Sequence, residues 1–449
     1  MLPAGSGSFL TKAALYGFAI MLGGLLFPFR TSLTVLQFQL ILLPLTFLYL
    51  YSIRSFFLPV PKKRSRAGTG RSAPDPGIVL LITIVALVLA GIGILMLETR
   101  MFGQFGYELN IPGIAFVLVA CLASALFLFL YKKGEFLPWA VVISLALLYL
   151  YSINYFPLHP ERSDMLLLIE AASGRFLDGA NPYIEYTIFN PVMLTYLPGM
   201  WLSYLPAVVS GMDIRYMNLI LLVASAVIFF SNPGKQKEIR QSVFAAIFFL
   251  NPWLIFRHEI YLPVFIFQMF LLYQLYLSKR IIPSMVVFAW TLASYQFSWI
   301  LYPLYLALLR SRYGMRAASK AAIVGAAGFL LLVIPFLVAS PEGFYKGVFG
   351  TWSTIYQIET INLSYWIILL TSTKYIKIVQ IALLIIFYMV TMKKMKKAES
   401  YFKYATWISV LFILTGQLIW HYFFIMPGIH MLFFARENLS GSAEAITAS

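Results

Sequence analysis

The residues best suited to chemistry in this 449-residue chain are carboxylates that gather in one stretch. Five of its 17 acidic residues fall within positions 157–190: Glu161, Asp164, Glu170, Asp178 and Glu185. Ser163 has the side chain of a helix N-cap, which would place Asp164 in the first turn of a short helix that ends near Gly174. The helix dipole there favours an ionised carboxylate, which can take a proton from a hydroxyl group. The alternative interpretation is that Asp164 only caps a helix beside the membrane.

Other familiar catalytic patterns are missing from the sequence. It contains no GxxxxGK[ST] phosphate loop, no HExxH or CxxC metal pair and no GxSxG nucleophile turn. It has four histidines and one cysteine, Cys121, which lies in an apolar run and cannot form an intrachain disulfide. These features argue against a nucleotide-driven pump and against a zinc protease.

The elements that carry the candidate residues are predicted to be membrane-spanning helices. Charged residues make up 11% of the chain and hydrophobic residues 61%, with a mean hydropathy of +0.84, whereas a soluble protein carries about 25% charged residues. A span needs about 20 apolar residues, and fewer where the helix is buried among others. We therefore predict an all-α polytopic membrane protein with spans near 9–28, 33–57, 77–97, 112–131, 137–156, 214–231, 241–256, 260–277, 281–294, 297–309, 319–339, 375–391, 402–419 and 422–435.

The distribution of Lys and Arg predicts how these spans are oriented. A cytoplasmic N-terminus puts most basic residues on the inner side, in the linker 59–76 and in turns such as NPGKQKEIR, RSRYGMR and KKMKK. Both termini are then cytoplasmic, and a multi-pass protein of the cell membrane is expected. Topology and contact with anionic membrane lipids account for the net charge of +16, so no nucleic-acid partner is predicted.

One apolar segment does not fit this arrangement as a span. Counting 191–209 as a crossing would move the later basic turns to the outer face, so we predict an interfacial or partly embedded helix there, broken by Pro198 and Pro206. Residues 157–213 then form one large external loop, and 340–374 form a second. The predicted domains are N-terminal accessory transmembrane helices in 1–131, a transmembrane catalytic region in 132–435 and a cytoplasmic tail in 436–449.

The order of motifs after the fifth predicted span resembles a known superfamily. Asp164 is followed by a short helix, by GRFLDGANPY, by FNP at 189–191 and by a proline-rich apolar segment. This order resembles the GT-C superfamily of polyprenyl-phosphate-sugar-dependent glycosyltransferases. It is most similar to glycosyltransferase family 87 and its mannosyltransferase relatives. The resemblance covers residues 137–435, with specific motifs only in 164–191.

The resemblance implies a GT-C-type fold with about 13 to 14 transmembrane helices and a large first catalytic external loop with juxtamembrane helices. It implies a hexosyltransferase that moves a hexose, mannose-like, from a polyprenyl-phosphate donor to a lipid-linked or cell-envelope glycan acceptor on the non-cytoplasmic face. Asp164 aligns with the catalytic aspartate of the family and would be the general base of an inverting transfer. No cluster of metal ligands is visible in the sequence, so no cofactor is expected, although some relatives bind a divalent ion near such carboxylates.

Such a transfer expels an anionic phosphate, so cationic side chains are expected around the site. The turn of Arg257, His258 and Glu259 faces the same side as Asp164 in the predicted topology. Its alternative role is a self-contained ion pair that caps two helices. Aromatic and amide side chains recognise sugars, although each of those singled out here could instead serve packing. The predicted substrate-binding residues are Glu161, Arg162, Asn181, Tyr183, Arg257, His258, Glu259, Tyr295, Gln296 and His421.

Two other classes of function remain open at this point. A secondary transporter or a lipid or glycolipid flippase would place ionisable residues and broken helices at the membrane midplane, often in two related halves. Here the acidic residues gather at one surface and the sequence shows no matching halves, which favours an enzyme. A non-catalytic scaffold is the third interpretation, and it would hold if Asp164 were dispensable.

Overall fold

The fold comes from a computed structural model, which is mostly helical. It describes residues 12, 15–16, 35–57, 119, 136–160, 163–188, 190–231, 239–258, 260–350, 363–370, 375–416 and 421–447. The helices in these residues are Val35–Phe57 (α1), Leu137–Tyr155 (α2), Met165–Leu177 (α3), Pro198–Leu202 (α4), Leu205–Ser210 (α5), Arg215–Phe230 (α6), Ile239–Phe249 (α7), Pro252–Phe256 (α8), Leu262–Leu277 (α9), Ile281–Leu292 (α10), Tyr302–Ala339 (α11), Pro341–Tyr345 (α12), Ser364–Leu370 (α13), Ile376–Thr391 (α14), Ala398–Thr415 (α15) and Met426–Thr447 (α16). Short 3-10 or π-helical turns occupy Gln296–Ile300, Lys346–Gly350, Met392–Lys394 and His421–Ile425. Strands Glu185–Thr187 (β1) and Pro191–Met193 (β2) pair antiparallel, with Tyr186 opposite Val192.

Several of these helices suit a membrane by length and composition. Those long and apolar enough to cross are Leu137–Tyr155, Gln296–Ala339 and Ile376–Lys394. A fourth crossing arises if Pro198–Ser210 and Arg215–Phe230, bent by 117°, form one span. Shorter apolar helices occupy Phe244–Phe256, Leu262–Leu277 and Ile281–Leu292. Three or four candidate spans in a mostly helical chain are consistent with an all-α membrane protein, and the larger number of spans stays a prediction.

The predicted accessory region 1–131 is mostly outside the described residues, and so is the whole of the basic linker 59–76. Within it, α1 packs on the last helix of the chain. The hydroxyl of Tyr49 donates to the carbonyl of Phe424 over 3.3 Å. Near the other end of α1, the ring of Phe56 lies 6.1 Å from that of Phe434. These contacts tie α1 to the bundle, whereas the division of the chain into domains stays a prediction.

Three predicted spans differ in detail from the helices observed. The runs 297–309 and 319–339 are joined through α11, which turns sharply at Gly314, where φ is 83° and ψ is 171°. Only glycine adopts such a conformation at low cost, so the predicted turn is a single residue. The run 241–256 divides into α7 and α8 because Asn251 caps α8, its Oδ1 accepting from the amide of Trp253 over 3.0 Å.

The predicted interfacial or partly embedded helix over 191–209, broken by Pro198 and Pro206, differs from the structure in its first residues and in the effect of the two prolines. The segment forms β2 and then the short helices α4 and α5. Pro198 is the first residue of α4 and Pro206 the second of α5, so each proline begins a helix at a position where no backbone N–H is needed. The amide of Gly199 donates to the carbonyl of Ala293 over 2.7 Å, which docks α4 against the end of α10.

Two sets of contacts define opposite ends of the bundle. Arg215, at the start of α6, donates to the carbonyl of Phe156 just after α2. Its Nη1 also lies 3.1 Å from Nε2 of His258, in the turn between α8 and α9. We call this the loop end. At the basic end, where α9 stops, Arg312 donates to the hydroxyl of Tyr276 over 3.0 Å.

Charge is distributed unevenly between these ends. The helix bounds put a large group of cations at the basic end: Arg54, Lys279, Arg280, Arg310, Arg312, Arg316, Lys320, Lys393, Lys394, Lys396, Lys397, Lys403 and Arg436. The acidic residues at the loop end are Asp164, Glu170, Asp178, Glu185, Asp213 and Glu342. An excess of Lys and Arg at one end is typical of the cytoplasmic face of a membrane protein.

Candidate functional site

Asp164 is the residue that immediately precedes α3, at the loop end of the bundle. It is half-buried and occupies the N-cap position, one residue later than the sequence predicted. Ser163, the expected cap, accepts instead from the amide of Met165 over 3.3 Å. Within the described chain the Asp164 carboxylate makes no capping bond to the helix, while its carbonyl accepts from Leu168. The side chain of Asp164 therefore does not cap α3.

The electrostatic setting of Asp164 corrects the expectation that the helix start favours its ionised form. Burial raises the pKa of Asp164 above the usual 3.8, and the hydrogen bond from its own amide only partly opposes this. Desolvation thus outweighs the helix start at this position. A carboxylate with a raised pKa is a stronger base once ionised, which suits the removal of a proton from a hydroxyl.

Helix α3 ends later than predicted, at Leu177 rather than near Gly174. Gly179 adopts a left-handed conformation with φ of 73°, and its amide donates to the carbonyl of Phe176. The next amide, of Ala180, donates to the carbonyl of Arg175. These two bonds form a Schellman motif, so the second glycine of GRFLDGANPY ends the helix and the first lies within it.

The NPY motif holds the loop together. Asn181 Oδ1 accepts from the amide of Tyr183 over 3.0 Å, and its carbonyl accepts from Arg175 Nε over 2.7 Å. Tyr183 is 1% exposed, and its hydroxyl donates to the carbonyl of Tyr196 over 2.9 Å. Both side chains are therefore engaged in folding the loop. These contacts give Asn181 and Tyr183 a role in positioning the loop, whereas their predicted contacts with substrate stay a prediction.

A row of aromatic rings leads from Asp164 into the bundle. Burial raises the pKa of Tyr196, as do the nearby Tyr261 and the charge of Asp164, so this ring lies within electrostatic range of the carboxylate. The ring centroids of Tyr196 and Tyr261 are 4.9 Å apart, and those of Tyr261 and Tyr295 are 5.4 Å apart. Phe423 follows at 6.2 Å from Tyr295. The row thus connects the Asp164 loop to three turns that the sequence predicted to share one site.

His258 belongs to the framework of this end. It is fully buried, and the carbonyl of the residue accepts from Asn218 Nδ2 over 2.9 Å. Its Nδ1 lies 3.0 Å from Ser152 Oγ and its Nε2 lies 3.1 Å from Arg215 Nη1. Because a guanidinium only donates, Nε2 must accept, which assigns a neutral ring with its proton on Nδ1. Its burial and these partners assign His258 a positioning role instead of the predicted substrate contact.

The arginine that holds His258 was missed by the sequence analysis. Arg215 is 7% exposed, and its Nε lies 3.0 Å from both carboxylate oxygens of Asp213. The same carboxylate also accepts from the backbone amide of Arg215 over 2.9 Å. An Asp two residues before an Arg, at the start of an apolar helix, is the local signal that could have indicated this pair. The pair fixes the start of α6 against the segment that leads to Asp164.

Of the remaining predicted substrate-binding residues, the structure describes some and not others. Arg257 is half-buried, with its guanidinium carbon 5.6 Å from the centre of the Trp253 ring. Gln296 follows Tyr295, and its Nε2 is buried without a hydrogen-bond partner among the described residues. His421 begins a 3-10 turn, and only its backbone is described. Outside the described residues lie Glu161, Arg162 and Glu259.

A second polar cluster lies between α9, α15 and α16. His430 Nδ1 is 2.7 Å from the Tyr273 hydroxyl, and His430 Nε2 is 3.2 Å from Ser409 Oγ. Ser409 donates to the carbonyl of Ala405, so it accepts from His430, which in turn accepts from Tyr273. Both ring nitrogens are therefore satisfied by the protein, as expected of a cluster that joins helices.

No group of three or more His, Cys, Asp or Glu side chains in the described part of the chain is arranged to hold a metal ion. Comparison of the whole chain with known protein families, with curated proteins and with solved structures finds no match.

Proposed function

We propose that this protein is an integral membrane glycosyltransferase of GT-C type, with Asp164 as its general base. It transfers a hexose from a polyprenyl-phosphate donor to a lipid-linked or cell-envelope acceptor on the non-cytoplasmic face. The observation that carries the proposal is the setting of Asp164: a half-buried carboxylate with a raised pKa, within electrostatic range of Tyr196, the first ring of the row that continues through Tyr261 and Tyr295. The basic residues at the opposite end support the assignment of the loop end to the outer face.

The proposed reaction is a single displacement. Asp164 removes the proton of the acceptor hydroxyl, and the hydroxyl oxygen attacks the anomeric carbon of the donor sugar. The bond between that carbon and the phosphate oxygen breaks, and the polyprenyl phosphate leaves with the electron pair. The sugar is transferred with inversion of configuration. Arg257 is the side chain proposed to stabilise the negative charge that develops on the phosphate, because a cationic donor there would act most strongly in the transition state.

The direct test is transfer by the purified protein. The full chain is incubated with radiolabelled polyprenyl-phosphate hexoses and a membrane lipid extract, and labelled glycolipid products are separated. We expect a new labelled product with a polyprenyl-phosphate donor and none with the corresponding nucleotide sugar. Absence of product with every polyprenyl-phosphate hexose, from protein that remains folded, would contradict the proposal.

A further inference from the structure

The segment 341–350 lies across the base of the β1–β2 hairpin. It comprises α12 and the π-helical turn that follows, and we call it the 341–350 helix. A Cβ atom added to Gly343 would lie 2.3 Å from the carbonyl oxygen of Tyr183, and one added to Gly347 would lie 2.1 Å from that of Leu194. Because both positions are glycine, the backbone of the helix can pack directly against the segments just before β1 and just after β2.

The two faces of this helix have different surroundings. On the inner face Phe344 and Val348 are 2% and 1% exposed. On the outer face Tyr345 is 65% and Phe349 42% exposed, with ring centroids 5.9 Å apart. Lys346, also exposed, is paired with a glutamate one helical turn earlier. The outer face therefore presents two adjacent aromatic rings, tilted by 36°, next to this ion pair.

We infer that the outer face of the 341–350 helix lies in the headgroup layer of the membrane, with phospholipid as its partner. The argument is continuity, since the helix begins two residues after the candidate span that ends at Ala339. The exposed apolar surface of α11, including Leu331 at 76% and Val338 at 71%, runs on into Tyr345 and Phe349. Aromatic rings and lysines at a helix end are the side chains that favour this layer.

This surface couples the membrane to the loop that carries Asp164. The inner face of the helix contacts Tyr183 through Gly343 and through the Phe344 ring, whose centroid is 4.7 Å from that of Tyr183. Tyr183 in turn donates to the carbonyl of Tyr196, whose ring lies within electrostatic range of Asp164. Lipid contact at the outer face thus holds the hairpin in place. The inference depends on the bundle lying in a bilayer and is independent of the reaction proposed above.

The position of the outer face can be measured with fluorescent labels. Tyr345→Cys, Phe349→Cys and, as a control on the exposed hairpin, Glu185→Cys are each made in a Cys121→Ser background and labelled with an NBD fluorophore. The full chain is placed in vesicles of equal parts phosphatidylcholine and phosphatidylglycerol. We expect the labels at 345 and 349 to be quenched by a nitroxide near the lipid headgroups more than by aqueous iodide, and the label at 185 to show the reverse. Iodide quenching at 345 and 349 equal to that at 185 would overturn the inference.

The coupling is tested by hydrogen exchange of residues 183–196 in the same vesicles. Tyr345→Ser combined with Phe349→Ser removes the lipid contact, so backbone exchange in this segment should become about tenfold faster. Leu369→Ser with Leu370→Ser is the matched control, because these side chains on α13 are 61% and 82% exposed. It should leave exchange at 183–196 unchanged. Equal exchange in the Tyr345/Phe349 variant and the wild type would overturn the coupling.

Discussion

At the scale of single residues, two carboxylates at the loop end have opposite environments. Burial raises the pKa of Asp164. Burial alone would also raise the pKa of Asp213, but the hydrogen bonds and charge of Arg215 lower it. Environments that push the pKa values of two acids apart commonly separate a proton-transfer group from a structural one. On this basis Asp164 is the base of the proposed reaction, and Asp213 is part of the framework.

The raised pKa of Asp164 predicts how stability depends on pH. The folded protein binds the proton of the Asp164 carboxyl more tightly than the unfolded chain does. Protonation of Asp164 therefore stabilises the fold below the usual pKa of 3.8, and this stabilisation is lost as pH rises through the pKa of the folded state. Asp164→Asn removes the titration. The midpoint of thermal unfolding of Asp164→Asn, minus that of the wild type, should therefore increase from about pH 4 to about pH 7.

A difference for Asp164→Asn that shrinks as pH rises would show that the carboxylate is stabilised in its ionised form.

The pair of buried Arg215 and half-buried Asp213 predicts a loss of stability when one partner is removed. Asp213→Asn leaves Arg215 without its carboxylate, which should lower the free energy of unfolding by about 1–3 kcal/mol in thermal unfolding experiments. Glu342→Gln breaks the pair of Glu342 with Lys346, whose side chains are 79% and 62% exposed, and should have no measurable effect. Equal effects of the two substitutions would contradict the role assigned to Arg215.

At the scale of elements, local sequence signals specify helices better than they specify where loops touch. The run 137–156 is the helix Leu137–Tyr155, and the run 214–231 is Arg215–Phe230. Either Gly174 or Gly179 could end α3. Which of them does so depends on the hydrogen bonds from the amides of Gly179 and Ala180 back to the helix, which form only once the chain has turned. Proline inside an apolar run predicts a break in a helix, whereas Pro198 and Pro206 lie in the first turns of α4 and α5.

The close approach at Gly347 predicts an effect of adding one methyl group. Gly347→Ala would place a Cβ 2.1 Å from the carbonyl oxygen of Leu194, so the helix and the hairpin must separate. We expect a loss of about 1–3 kcal/mol in unfolding free energy and reduced sugar transfer. Gly350→Ala is the matched control, because its nearest atoms would be at 3.6 and 3.9 Å. A loss at 350 as large as that at 347 would contradict the packing described.

At the scale of the whole molecule, composition and charge predict the class of protein but leave its long-range contacts open. The excess of apolar residues predicts a helical membrane protein, and the helices observed are consistent with it. The network of Asp213, Arg215 and His258 joins positions more than forty residues apart, so no local pattern contains it. Because these long-range contacts are not visible in the sequence, His258 and Tyr183 are predicted from it to bind substrate, whereas both side chains are buried in the structure.

The orientation of the bundle is a prediction that labelling can test. Ser210→Cys at the end of α5 and Ser231→Cys after α6, each in a Cys121→Ser background, place thiols at exposed positions near opposite ends of α6. In intact cells a membrane-impermeant thiol reagent should label the cysteine at 210, and that at 231 only after permeabilisation. Labelling of position 231 from outside would reverse the assignment of the loop end to the outer face.

The proposed reaction requires the carboxylate of Asp164. Asp164→Asn keeps the shape and size of the side chain but removes the base, so the purified protein should fold normally while transfer falls by about 10²–10⁴-fold. Glu161→Gln must be measured in parallel, because Glu161 is three residues earlier in the same loop and is the obvious substitute for Asp164. Transfer by Glu161→Gln close to the wild-type rate, with Asp164→Asn inactive, is the result we predict. Near-normal transfer by folded Asp164→Asn would contradict the account, whichever result Glu161→Gln gives.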